Sequence, residues 1–348
     1  MKVLFLTLGT ETMASSRTRV YQYLPYLEKA GIQCFVICMS HNVMQRKFRI
    51  FEFIADKIHK VIKYIKIFFF SMDCDVIFIQ KILLRSCVQN LIRILNKNII
   101  FDFDDAIYAS PIACSSTNND LQKRFVHTLL ISKGVILENN YAKEFALEFN
   151  KNILMITGPI DCRRYFQKVE KEDGHDVVIG WIGSPTTTVY LKSLFGVFKK
   201  IVKNYPNVVI ELIGATSLKI EGINLVIKDW ALDTEVENLQ DFDIGIMPLP
   251  DDEWSRGKGG YKLLQYMAVG IPCVASPVGI NSALIKEGVN GYLANSEEQW
   301  YKKLETLIKN RALRESMGVS GRKIVEERYS LEVSVPKLIE LIEKVGAR

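Results

Sequence analysis

Residues 256–279 read RGKGGYKLLQYMAVGIPCVASPVG. Two glycines stand among cations, a helix-like run YKLLQYMAV follows, and Gly-Ile-Pro stops it before a short apolar strand. A turn, a helix and a strand in that order form one repeat of a parallel α/β sheet. The repeat recurs outward from this point. Before it lie VVIGWIG, a helix over YLKSLFGVFKKIVKNY, then VVIELIGA, INLVIKDW and FDIGIMPL. In the first half KVLFLTL, IQCFVICM, DVIFIQ, NIIFDF, GVILEN and NILMIT alternate with helical stretches. Continuous apolar runs of this kind belong to strands covered on both faces. The polar segment 158–176 separates the halves. The expected architecture is therefore α/β, with two Rossmann-like, doubly wound parallel-sheet domains. Their expected bounds are 1–165 and 166–330, with a C-terminal helix, 331–348, packing back on the first. Ligands of such sheets sit at the carboxyl ends of strands, so a central cleft faced by both sheets is the expected site.

Composition narrows the class. The chain has 348 residues, 48% hydrophobic and 24% charged, with a net charge of +6. That is globular composition, and the mild positive charge suits phosphate-bearing ligands, an anionic membrane surface or plain solvation. It is too modest for nucleic acid, and no basic-aromatic module accompanies it. The seven cysteines show no CxxC pair and no histidine at zinc-ligand spacing, which fits a reducing cytoplasm without a metal site. No run reaches the roughly 18–20 apolar residues of a spanning helix.

Three turns point to anions. Arg256, Lys258 and Lys262 surround Gly259 and Gly260 at a helix start, where free N–H groups and the helix dipole favour negative charge. An ordinary glycine turn with solvated cations would look the same, and the spacing is not that of a P-loop. A second turn, Gly183-Ser184 followed by three threonines, ends the strand VVIGWI and also reads as a helix cap. A third follows the first strand: Gly9, then Arg17 and Arg19 at an apparent helix start, an awkward place for cations unless an anion is near.

Two further segments carry chemistry. FDFDDAIY puts Asp102, Asp104 and Asp105 at the end of a strand, where Asp104 or Asp105 can bind hydroxyls, act as a base or cap a helix. Residues 46–70 interleave Arg46, Lys47, Arg49, Lys57, Lys60, Lys63 and Lys66 with Phe, Ile and Tyr. That is the pattern of a peripheral membrane helix, or of a core helix with a solvated basic face.

The stretch from 248 to 294, with VVIGWIGSPTTTVYLKSL, NVVIELIGA and TMASSRTRVYQYLPYLEKAGI, resembles the landmarks of the family 4 (group 1) glycosyltransferases. The likeness runs along the whole chain in order. It implies the GT-B fold and transfer of a sugar from a nucleotide-diphosphate sugar, with retention and no metal. It also implies a hydroxyl acceptor on a glycan or polyprenyl-linked lipid, as in surface polysaccharide assembly. The family's glutamate pair falls here on Gly257 and Gln265, and its Arg and Lys beyond Gly183 are replaced by SPTTT. The resemblance places the donor on Gly259, Gly260, Tyr261, Lys262 and Leu263, with Gln265 at the ribose and Trp230 near the base. Arg256, Lys258 or Lys262 is expected to supply the missing charge. A GT-B-like epimerase or a non-catalytic partner subunit are the alternatives. A nicotinamide dehydrogenase is not, because no GxGxxG follows any expected strand.

Overall fold

The computed structural model describes residues 1–40, 49–109, 119–167 and 176–347, with backbone alone for 49–56 and 119. Arg46, Lys47 and much of the polar linker lie outside the described residues, and the side chain of Arg49 is not described. The chain divides into two compact units, Met1–Pro159 with Ser334–Arg348, and Ile160–Val333. The division falls earlier than the expected 165/166 because Ile160 and Tyr165 are buried in the core of the second unit. The helix Leu331–Gly346 ends in the first unit, where Leu341 and Val345 pack against Gly134.

The first unit holds β1 (Lys2–Thr7), β2 (Gln33–Cys38), β3 (Val76–Gln80), β4 (Ile99–Asp102), β5 (Gly134–Leu137) and β6 (Ile153–Met155). They pair in parallel in the order β2-β1-β3-β4-β5-β6. β3, β4 and β5 are buried along their whole length, which is why each reads as an unbroken apolar run. The order reverses between β1 and β3, so the loops leaving those strands frame a crevice at the carboxyl edge.

The second unit holds β7 (Val177–Ile182), β8 (Val208–Ile213), β9 (Leu225–Lys228), β10 (Ile244–Met247), β11 (Cys273–Ala275) and β12 (Gly291–Leu293). Their order is β12-β11-β10-β7-β8-β9, again all parallel, the strand order of a Rossmann sheet. Its reversal lies between β7 and β10. Aromatic rings press on the two strands there: a Cβ on Gly180 would meet the Phe242 ring at 2.0 Å, and one on Gly245 the Tyr266 ring at 2.4 Å.

Candidate functional site

In the second unit the loops leaving β7 and β10 carry the sequence's candidate residues to that reversal. Helix Tyr261–Ala268 begins at Gly260, whose φ of +70° favours glycine, and no side chain caps it. A Cβ on Gly260 would meet Leu284 at 2.7 Å and Ile280 at 2.8 Å. The first turn thus starts without a side-chain hydrogen bond to its N–H groups.

Lys262 leaves this first turn towards the β7 loop. Its ammonium lies 4.2 Å from the centroid of Trp181, which is buried on β7, and 3.4 Å from Thr187 Oγ1. A Cβ on Gly183 would meet Lys262 Nζ at 2.5 Å and the Trp181 ring at 2.4 Å, so the glycine makes room for the cation. Among the described residues no carboxylate pairs with Lys262. Desolvation and, secondarily, the charge of Lys258 hold its ammonium down to about 7. A partly desolvated cation without a counter-ion favours an anion. Lys258 itself lies 4.8 Å over the Trp254 ring.

Other candidates are placed differently. Arg256 is half exposed and forms two hydrogen bonds with Asp251, at 2.7 and 3.1 Å. Gln265, expected at a ribose, is buried, and its Nε2 donates to Tyr165 Oη at 3.0 Å. Tyr165 donates on to Glu235 at 2.5 Å, and Trp230 Nε1 donates to the same carboxylate at 2.6 Å. Trp230 still borders the site: its Cβ and the Gly183 carbonyl both crowd the position of a Cβ on Gly214, whose φ is +71°. Gln265 and Trp230 thus share one buried polar network that braces the helix and the β9 loop.

The sequence reading passed over Ser255 and Asn281. Ser255 Oγ and Asn281 Oδ1 are buried without a hydrogen-bond partner, and Asn281 Oδ1 lies 3.8 Å from a Cβ built on Gly260. Unsatisfied buried polar atoms are costly, so Asn281 Oδ1 beside the Gly260 turn suits a ligand hydroxyl. Asparagine and serine in a turn carry no distinctive sequence signal.

In the first unit the β1/β3 reversal is also polar. Gln80, the last residue of β3, accepts at Oε1 from Leu8 N (3.0 Å) and Ser16 Oγ (2.9 Å) and donates to Ser15 Oγ (2.9 Å). Gly9 N donates to Ser16 Oγ at 2.9 Å. The next residue, Lys81, has a left-handed backbone with φ +57°, an uncommon state for a side chain with a Cβ. Its ammonium sits 2.7 Å from Asp104 and 2.5 Å from Asp105. Burial pushes the Asp104 carboxyl up, but Lys81 and a hydrogen bond with Ser15 outweigh it and hold it below its usual value. A carboxylate held ionised in this way is a weak base and a good acceptor for hydroxyl protons. Asp104 and Asp105, expected to bind hydroxyls or act as a base, thus stand together on the Lys81 ammonium.

Arg17 and Arg19 need a correction. The helix that looked as if it began at them is Ala14–Arg19, so both occupy its last turn, where cations complement the dipole. The charge of Arg19 is spent inside the unit. Its guanidinium donates to Asp102 at 2.5–3.1 Å, to Glu138 at 3.0 Å and to the Ile156 carbonyl at 2.6 Å. Arg17 donates to the Glu11 carbonyl at 3.2 Å, tying down the β1 loop. Glu138 feels its burial first, then the nearby aspartates, and is pushed up to about 8 despite Arg19.

The architecture with its carboxyl-edge sites is the GT-B fold. Among solved structures the chain is similar to Anabaena HepE in complex with UDP and glucose, at 15% identity over 99% of each chain, with a TM-score of 0.71. It is similar to sucrose-phosphate synthase of Thermosynechococcus elongatus, at 13% identity over 100% of this chain and 99% of the other, with a TM-score of 0.75. A glycosyltransferase of Rickettsia africae ESF-5 matches at 15% identity over 100% and 99%, with a TM-score of 0.70. No curated protein matches the chain. Residues 176–310 match the family described as Glycosyl transferases group 1. The matched residues make up most of the second unit and include the Gly183 and Gly260 turns.

Proposed function

We propose that the protein is a retaining glycosyltransferase that moves a sugar from a nucleotide-diphosphate sugar to a hydroxyl of a glycan or lipid-linked acceptor. The observation that carries this reading is Lys262, a cation without a counter-ion between Trp181, Gly183 and the uncapped turn at Gly260. The donor diphosphate takes the turn's N–H groups and the ammonium of Lys262, with Lys258 beside it. Asn281 accepts a hydroxyl of the donor. Because HepE was solved with UDP, a uridine nucleotide is the first donor to test.

As the bond between the anomeric carbon and the phosphate oxygen breaks, negative charge grows on the leaving diphosphate. Fixed donors and a nearby cation stabilise it there. The acceptor oxygen bonds to the same face of the anomeric carbon, and its proton passes to the departing phosphate oxygen. No protein nucleophile and no metal is required. Asp104 and Asp105, held by Lys81, orient the acceptor by accepting from its hydroxyls.

The test is titration with UDP and UDP-sugars by calorimetry, followed by NMR of the product anomer in chelator-treated protein. Donor binding, an unchanged anomeric configuration and full activity in EDTA support the reading. Inversion, or activity restored only by a divalent ion, overturns the corresponding part. The replacement of the usual glutamate pair by Gly257 and Gln265 favours one second reading, a partner subunit without catalysis. Donor binding without transfer or donor hydrolysis would select it.

A further inference from the structure

The helix Arg49–Asp73 meets the first unit mainly through its C-terminal part. Ile67 is buried in the core, and Phe70 stacks near Phe35 with ring centroids 4.9 Å apart. At about 100° per residue, Ile58, Val61, Ile62, Ile65, Phe69 and Met72 fall on one stripe on the side opposite Ile67. All six are exposed, Phe69 by 60%. This helix therefore has two apolar faces, and only one of them is used by the fold. The neighbouring helix Ser86–Leu95 packs beside it and also leaves outward residues open, Leu91 and, at 76% exposure, Ile94. Together they expose on the order of several hundred Å² of apolar surface, at the upper end for a monomer.

Charge decides what fits this surface. From Lys57 to Met72 there is no acidic residue, while Lys57 and Lys66 flank the outer stripe, one on each side. Lys63 lies on the Ile67 side and donates to the Ser40 carbonyl at 2.9 Å. The second helix likewise has no acid and carries Arg93, with Arg85 and Lys97 at its ends. A partner helix of this same chain would bring its own cations against these. An anionic bilayer would take the apolar stripe into its acyl boundary and the lysines at its phosphates. The helix is not built to cross, since among the described residues no helix is long and apolar enough to span a membrane.

We infer that the outward faces of helices Arg49–Asp73 and Ser86–Leu95 form a docking surface for an anionic lipid bilayer, with the first helix lying in the interface plane. This inference does not rest on the donor chemistry of the second unit, and its test does not read glycosyl transfer. It names a second helix that the basic pattern of 46–70 alone did not include.

The experiment is flotation of the full chain with vesicles of phosphatidylcholine alone or mixed with phosphatidylglycerol, at low and high salt, with analytical ultracentrifugation alongside. The expected result is binding to the mixed vesicles only, weakened by salt. Ile65→Asp with Phe69→Asp, both at exposed positions, should lower the bound fraction at least about tenfold with an unchanged melting temperature. Ile94→Asp alone should lower it about threefold to tenfold, and each of Lys57→Gln and Lys66→Gln about fivefold. Absence of binding to the mixed vesicles at low salt overturns the inference. So does equal binding to both vesicle types, or a dimer dissolved by Ile65→Asp in a chain that does not float. Normal binding by Ile94→Asp removes the second helix from the surface.

Discussion

Arg19 in the first unit and Lys262 in the second are both drawn out of full solvent at the carboxyl edge of a parallel sheet, yet they are treated in opposite ways. Arg19 meets two carboxylates and a carbonyl, five hydrogen bonds in all, and its side chain is 1% exposed. Lys262 meets an indole face and one long contact to a threonine hydroxyl, with a second lysine near. A charge serving the fold arrives with its counter-charge. A charge kept for a ligand is left short of one, and the protein carries the cost until the ligand comes.

Breaking the first arrangement should have the largest effect. Arg19→Met leaves Asp102 and Glu138 buried without their cation and should cost about 3–5 kcal/mol in urea denaturation. A loss under about 1 kcal/mol would show that Arg19 is dispensable to the fold. Lys262→Ala should do the reverse, leaving stability unchanged or slightly raised. It should lift donor KM about tenfold to a hundredfold, the worth of a charge-assisted hydrogen bond. A lower melting temperature with normal donor kinetics would make Lys262 a second Arg19 and erase the contrast.

A finer probe is pH. The ammonium of Lys262 is held down to about 7, so above that pH the free protein must take up a proton when it binds an anion. Donor affinity should fall as pH rises through 7, and Lys262→Arg, if it binds donor, should flatten that dependence. The stability sign is opposite. Between about 7 and the ordinary lysine value the folded chain binds fewer protons than the unfolded one, so this group's contribution grows with pH. The smallest effect belongs to Arg256→Ala. With its charge already shared with exposed Asp251, donor KM should change less than about threefold. A larger change would mean that the ligand draws Arg256 away from Asp251.

The sheets were legible because their strands are covered on both faces and so declare themselves as unbroken apolar runs, as in KVLFLT and VIFIQ. The Gly183 and Gly260 turns were legible because glycine leaves a mark wherever backbone must come close. Arg19 was misread for want of a helix end. The run after Gly9 is not one helix but Ala14–Arg19, a short 3-10 turn and Leu24–Lys29, with Pro25 opening the last. Its partners were beyond local pattern altogether, since Glu138 lies 119 residues away in the chain. Lys81 was missed for the opposite reason, because nothing in its neighbourhood announces a left-handed lysine. Gln265 sat where the family has a carboxylate, and only the fold shows that Tyr165 had already claimed it.

Position 183 has one more consequence. Its backbone is not left-handed, so an alanine there would be tolerated by the main chain, and the new methyl would collide with Trp181 and the tip of Lys262. The absence of one carbon atom thus sets where a positive charge can rest. On the proposed reading the grip on the donor can be tuned from either end of that contact, by adding bulk to the strand's exit or by shortening the lysine, without touching the sheet beneath.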